Sequence, residues 1–218
     1  MSKSVVAIDG PAGAGKSTVA QLAAKALGYV YIDTGAMYRA VAWKTLEQKD
    51  TVTDEKIIGL VKDIDVVLSY KDGHTQVLVD GVDVTAAIRT PEVTAIVSQV
   101  AKLAPVREKM VELQRQMAKN GSVVMDGRDI ATNVLPDADV KIYLTASIEE
   151  RARRRWQELK DKGYAVDLEE LKQEISQRDK ADSEREISPL VKAADASLLD
   201  TTGLSIEEVV KSILNACR

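Results

Sequence analysis

Asp9-Gly10-Pro11-Ala12-Gly13-Ala14-Gly15-Lys16-Ser17-Thr18 matches the pattern G-x-x-x-x-G-K-[ST] at every fixed position. A phosphate chain needs a concave array of backbone N–H donors, and glycines let a loop approach it closely. Gly10 to Thr18 is therefore expected to cradle a nucleoside triphosphate. Lys16 would set a point charge near the β and γ phosphates, and the Ser17 hydroxyl would reach a magnesium ion. The flanks supply the context the pattern requires. Ser4-Val5-Val6-Ala7-Ile8 reads as a buried strand. Val19, Leu22, Ala23, Ala26 and Leu27 recur at helical spacing, and Gly28 is a stop signal. The helix N-terminus adds partial positive charge toward the anion.

The remaining composition sets bounds. A chain of 218 residues with 45% hydrophobic residues can bury a substantial core, and with 4% aromatics and no Phe that core is aliphatic. A net charge of -4 argues against bulk nucleic-acid binding. The one cysteine, Cys217, excludes an internal disulfide or a cysteine-built metal site. No apolar run approaches a membrane span, and the N-terminus runs straight into the motif-bearing strand. The expectation is a cytoplasmic protein with no membrane or nucleic-acid partner, acting as a monomer.

Working outward, strands at 29–32, 122–125, 140–144 and 196–200 alternate with helices at 36–47, 148–160, 168–178 and 206–216. That alternation predicts an α/β fold, a parallel sheet flanked by helices. A helix beginning near Asp54 and helices near 90–103 and 105–119, with Pro105 opening the second, complete the set. Residues 65–70, 75–79 and 82–84 read instead as an antiparallel meander, an inserted small sheet over about 64–88. His74, the only histidine, falls in its turn and is expected to be structural or solvated. The chain reads as one unit: 1–34 and 120–218 form the core, and 35–119 a separate region that carries the insert.

In such a sheet, ligands sit at the carboxyl ends of the strands. That rule collects Gly10, Asp33 and Asp126, with the segment after each, onto one rim. Asp33-Thr34-Gly35-Ala36-Met37-Tyr38-Arg39 ends the second strand, and Arg39 can clamp a second phosphate with its planar fork. Asp126-Gly127-Arg128-Asp129 ends another strand. Asp126 stands where a carboxylate could hold magnesium through water, opposite Ser17. Arg151, Arg153, Arg154 and Arg155 crowd one helix. Salt bridges at i,i+4 account for part of this as a solvated face: Glu149 to Arg153, Glu150 to Arg154 and Arg154 to Glu158. Arg151 and Arg155 share a face and lack such a partner. They are the preferred pair for the transferred phosphate, on a lid over about 151–166 that breaks near Gly163. Arg178 to Arg185 reads as a polar, helix-ending loop.

Lys16, Arg39, Arg128, Arg151, Arg155 and Arg178 together suit a reaction that brings two anionic phosphates together. Phosphoryl transfer needs positioning and charge neutralisation. A phosphate acceptor has a second pKa of about 6 and needs no general base at neutral pH. A hydroxyl acceptor would need one, and Asp33 is the position to consider. A guanine-reading switch would carry N-K-x-D, which this chain lacks.

The motifs I-D-G-P-A-G-A-G-K-S-T, D-T-G-A-M-Y-R, I-R-T-P-E-V, S-Q-V-A with P-V-R, D-G-R-D-I and R-D-x-x-D-x-x-R run in order along nearly the whole chain. In this combination the chain resembles the bacterial cytidylate kinases, of the nucleoside monophosphate kinase branch of P-loop enzymes. That family also carries a small added sheet in its monophosphate-binding region. The resemblance implies transfer of the ATP γ-phosphate to CMP or dCMP with magnesium. It implies that Thr34, Arg107, Asp129 and Arg185 surround the cytosine, and that Tyr38 belongs to the CMP site. Arg39, Arg128 and Arg178 would hold the acceptor phosphate, and Ser98, Arg178 and Asp182 would meet the sugar. Thr34 stands where many relatives have Ser; the hydroxyl is kept.

Overall fold

The computed structural model describes residues 4–71, 74–161 and 163–217. Strand β1 (Val5–Asp9) is buried from its second residue onward, as expected of a strand covered on both faces. Helix α1 (Lys16–Leu27) starts earlier than its apolar spacing suggested, so Lys16 and Ser17 belong to its first turn. It turns Val19, Ala20, Ala23 and Ala24 inward and ends on Gly28. Then come β2 (Val30–Asp33), α2 (Thr34–Glu47) and α3 (Asp54–Val61). The Asp33 carboxylate accepts the Ala36 N–H at 2.9 Å, capping α2 at the point where the strand ends.

β3 (Val66–Lys71), β4 (His74–Val79) and β5 (Val82–Asp83) make the antiparallel sheet, with Leu68 opposite Val77 in register. The middle of the β3–β4 turn, and the His74 side chain with the role expected of it, lie outside the described residues. A 3₁₀ turn (Ala87–Arg89), α4 (Pro91–Lys102) and α5 (Ala104–Ala118) return the chain to β6 (Val123–Gly127). A π turn (Ile130–Val134), β7 (Val140–Thr145), α6 (Ile148–Asp161), α7 (Leu168–Glu184), β8 (Ser197–Asp200) and α8 (Ile206–Ala216) follow.

The parallel sheet has the order β2-β6-β1-β7-β8. Three apolar clusters organise the molecule. One packs α1 and α8 on a sheet face, with Ile213 and Ile142 at its centre. A second, around Met125 and Ile130, covers the opposite face. The third fills the space between α2–α5 and the small sheet. Burying a side chain such as Ile57 there, fully enclosed, stabilises by about 1.5–3 kcal/mol.

The 168–178 helix needs correction. α7 continues to Glu184, so Arg178 and Asp182 stand one turn apart on a helix rather than in a loop. Asp167 caps its start through Glu169 and Glu170, and Leu171 and Ile175 hold it down. The polar run beyond them masks the helical period. No helix among the described residues is long and apolar enough to cross a membrane.

Candidate active site

Register brings three carboxylates to one rim: Asp33 lies opposite Asp126, and Ile8 and Asp9 lie opposite Asp126 and Gly127. Above them opens a cleft of about 630 Å³ that runs from the phosphate loop across the strand ends to α4, α5 and α7. Gly10 is where β1 turns into that loop. Its φ is 152°, and a Cβ there would lie 1.9 Å from the Leu144 carbonyl oxygen.

Ala12 to Thr18 line the donor end. Lys16 is only 5% exposed, and its ammonium donates to the Pro11 carbonyl at 2.8 Å. Burial pulls its pKa down to about 7, with Arg128 adding to the shift and Asp126 opposing it. A bound triphosphate would restore the charge. The Ser17 hydroxyl donates to Asp126 Oδ2 at 3.0 Å, and the Tyr31 hydroxyl donates to Oδ1 at 2.7 Å. Burial, followed by the neighbouring Asp33, pushes the Asp126 carboxyl up to about 6; Lys16 partly offsets this.

Ser17 and Asp126 present two hard oxygen donors side by side, and no cluster of three metal-ligating side chains exists among the described residues. That donor set fits magnesium, which keeps several waters and takes phosphate oxygens rather than a full protein cage.

Further along the cleft the charge becomes positive. Arg39 donates to Thr94 Oγ1 at 2.9 Å and to the Ile88 carbonyl at 3.3 Å. Burial first, then Arg178 and Arg89, lower its pKa to about 10. Arg178 is lowered to about 10 by burial and by Arg128, and its buried Nε has no hydrogen-bond partner. Burial alone would lower Arg128, but Asp182 at 2.8 Å outweighs it and raises the guanidinium. Several cations held close together in a poorly solvated pocket are a standing electrostatic cost that a dianion removes.

At the far end lies Asp129. Oδ2 accepts from Arg107 at 2.5 Å and from Asn133 at 3.0 Å, and Oδ1 accepts from Arg185 at 3.5 Å. A carboxylate offers about four acceptor positions, so these three bonds leave room for one more donor. Arg107 lies 5.5 Å over the Tyr38 ring. The Thr34 hydroxyl donates to the Asp126 carbonyl at 2.7 Å. Gly127 is forced by that neighbour, since a Cβ would meet Thr34 Oγ1 at 2.7 Å.

Comparison with known proteins supplies the family. The family model described as cytidylate kinase matches residues 6–218. A cytidylate kinase of Bacillus cereus (strain B4264) is 57% identical over 211 residues, 96% of this chain and 94% of the relative. One from Bacillus thuringiensis (strain Al Hakam) is 58% identical over 210 residues, 96% and 93% of the two chains. The chain belongs to the cytidylate kinase family. The fold alone is shared more widely. An uncharacterised protein of Eubacterium ventriosum superposes with a TM-score of 0.54 at 13% identity, covering 97% of this chain and 96% of that one. A sugar kinase from Janibacter superposes at 0.50 and 12%, covering 99% and 95%.

Against this cytidylate kinase frame, most of the expected site residues line one cleft. Thr34, Tyr38, Arg39, Ser98, Arg107, Asp126, Arg128, Asp129, Arg155, Arg178, Asp182 and Arg185 all do so with the phosphate loop. Arg151 does not. It is 4% exposed, and its guanidinium is spent inside the protein, on the Ala146 carbonyl at 2.9 Å, the Ala12 carbonyl at 2.8 Å and Asp179 at 2.6 Å. Asp179 in turn accepts the Ala12 N–H at 3.1 Å. Arg151 therefore braces the phosphate loop; its partner sits 28 residues away on α7, out of reach of i,i+4 reasoning. Arg155 does have a partner, Glu158 at 2.8 Å. Glu150 takes both Arg153 and Arg154.

Other residues at the site are not picked out by the sequence pattern. Arg89 ion-pairs with Asp33 at 3.2 Å; it stands inside I-R-T-P-E-V, but a 3₁₀ turn has to bring it to the rim. Arg154 reaches the Thr201 carbonyl at 2.8 Å beside Leu204 and Ile206, where β8 meets α8 next to the phosphate loop. Gln114 is outside the cleft lining; it is 1% exposed, and its amide faces Tyr38, which does line the cleft. Only the packing of α5 on α2 makes that visible.

Proposed function

We propose that the chain transfers the γ-phosphoryl group of ATP to the phosphate of CMP or dCMP, with magnesium. The observation that carries this reading is one cleft with three successive parts: a phosphate loop, a cluster of arginines, and a carboxylate gripped by two more arginines.

Lys16 and the loop N–H groups hold the donor phosphates. Ser17 and Asp126 would hold the magnesium, whose charge helps neutralise the phosphate oxygens. Arg39, Arg128 and Arg178 hold the acceptor phosphate in line, with Arg155 and Arg89 within the same rim. The acceptor is already ionised, so no side chain has to take a proton. Asp33 supports this by being occupied: its two oxygens accept from Ala36 N–H and Arg89. It is not poised as the base a hydroxyl acceptor would require.

At the far end, the cytosine amino group donates to the open position on Asp129, and Arg107 and Arg185 donate to O2 and N3. Asp182 and Ser98 face the sugar. The donor base lies against Arg154, Leu204 and Ile206 at the other end of the cleft. Residues 35–119, with the small sheet, form the monophosphate-binding region. The stretch from about 151 to 166 is the lid, anchored at Arg151 and moving beyond it. A cytoplasmic monomer with no nucleic-acid partner belongs to the same proposal; the net charge of -4 supports the last of these.

Turnover with ATP on CMP, dCMP, UMP and AMP tests this. Uracil presents an acceptor to Asp129, leaving it unpaired at a cost of about 1–3 kcal/mol, so UMP should fall roughly 5- to 150-fold behind CMP. Faster turnover on UMP or AMP than on CMP would overturn the reading. Hydrogen exchange over 152–166 should slow on binding a bisubstrate analogue; unchanged exchange would remove the lid.

A further inference from the structure

Asp9 precedes the first glycine of the phosphate loop, and its charge acts on Lys16, yet its carboxylate accepts its hydrogen bonds from outside the phosphate cradle. It is 1% exposed, and both oxygens are committed to the acceptor side of the molecule: Oδ1 accepts the Ile130 N–H at 2.8 Å and Oδ2 the Ala131 N–H at 2.8 Å. We propose that Asp9 is a positioning residue for nucleobase recognition, holding the start of the Ile130–Val134 turn and, through it, the Asp129 carboxylate.

The first amides of a helical turn have no partner within the turn itself. Here the turn is five residues of π geometry, closed by Val134 N–H to the Asp129 carbonyl at 3.1 Å and Leu135 N–H to Ile130 at 2.7 Å. A turn so short has little stability of its own. Asp129 is the residue just before it, at φ −143°, ψ 27°, neither strand nor helix. Its side-chain direction therefore depends on how the next two peptides are held, and Asp9 holds both. Asparagine is not equivalent, because its amide would set a donor against one of the two N–H groups. The same residue thus begins the donor loop and fixes the acceptor end, which gives the Asp of I-D-G-P a role that its place beside the phosphates did not reveal.

The proposal rests on reading Asp129 as the nucleobase carboxylate, and the experiment separates the two. In Asp9→Asn, kcat/KM for CMP divided by kcat/KM for UMP should fall about tenfold, equivalent to about 1.4 kcal/mol. KM for ATP should stay within about twofold, since no hydrogen bond to the donor loop is lost, and Asp9→Glu keeps the charge that acts on Lys16. The ratio is taken on one sample, so an unfolded fraction cancels. Asp9→Glu, which keeps the charge but misplaces both oxygens, should behave alike and serves if the first variant folds poorly. In an Asp129→Asn background, Asp9→Asn should cause no further fall in the ratio. An unchanged ratio in both Asp9 variants, or equal rises in KM for ATP and CMP, would overturn the role of Asp9. If Asp129→Asn alone leaves the ratio untouched, the nucleobase reading itself fails.

Discussion

The two ends of the cleft are built in opposite ways. The donor phosphates meet one continuous stretch, Ala12 to Thr18, a glycine-shaped loop that runs into the first turn of α1. The acceptor end draws on side chains from α2, α4, α5, α7 and the segment after β6, and no two of its key groups, Arg107, Asp129 and Arg185, share an element. A backbone cradle suits an anion common to every triphosphate. Telling one base from another takes donors and acceptors at fixed points, and only side chains from several directions supply them.

The sharpest test of that division is Lys16→Met. It should lower kcat by about 10³ while leaving CMP binding close to normal, because the ammonium is placed for charge on the donor side. Steady-state rates with a separate CMP titration would check it, and lost CMP binding would blur the division. Arg39→Ala should do the reverse, raising KM for CMP about 10- to 100-fold with KM for ATP little changed. A loss confined to ATP would assign Arg39 to the wrong end.

Arg151→Ala tests whether the donor loop depends on more than its own sequence. Removing a buried partner of Asp179 should cost about 3 kcal/mol, a fall in Tm of roughly 6–12 °C. An unchanged Tm with a thousandfold fall in kcat would return Arg151 to the transferred phosphate.

The smallest effect is a pH dependence. Burial raises the Asp9 carboxyl from 3.8 to about 6 in the folded chain, so the folded state binds the proton more tightly and its stability from this group falls as pH rises from about 4 to 6. Relative to Asp9→Asn, which does not titrate, the wild-type chain should gain about 1 kcal/mol between pH 7 and pH 5, measurable by denaturant unfolding.

Much of the fold was legible along the chain because its signals are local. Val5–Asp9 and Val123–Gly127 are short β-branched runs, and Gly28 stops α1 where its apolar spacing ends. The meander at Val66–Asp83 showed its period of two. The apolar period of α7 stops short of its end because its last two turns, Arg178 to Glu184, bury little apolar surface; Asp182 faces the cleft and answers Arg128 instead. The place of Arg151 is hidden for a related reason: an arginine with no nearby acid in sequence looks free, although Asp179 waits on the next helix.

By itself the sequence determined that a phosphate loop ends the first strand of a parallel sheet, and that further charged clusters end later strands. Those features depend on residues within a few positions of one another. Tertiary structure alone decided which charges are available to a ligand and which are spent on the protein. Arg151 is locked under the loop while Arg178 keeps a buried unpartnered nitrogen, and Asp9 turns away from the cradle it introduces. That sorting depends on which distant groups packing brings within about 3 Å, and no local pattern encodes it.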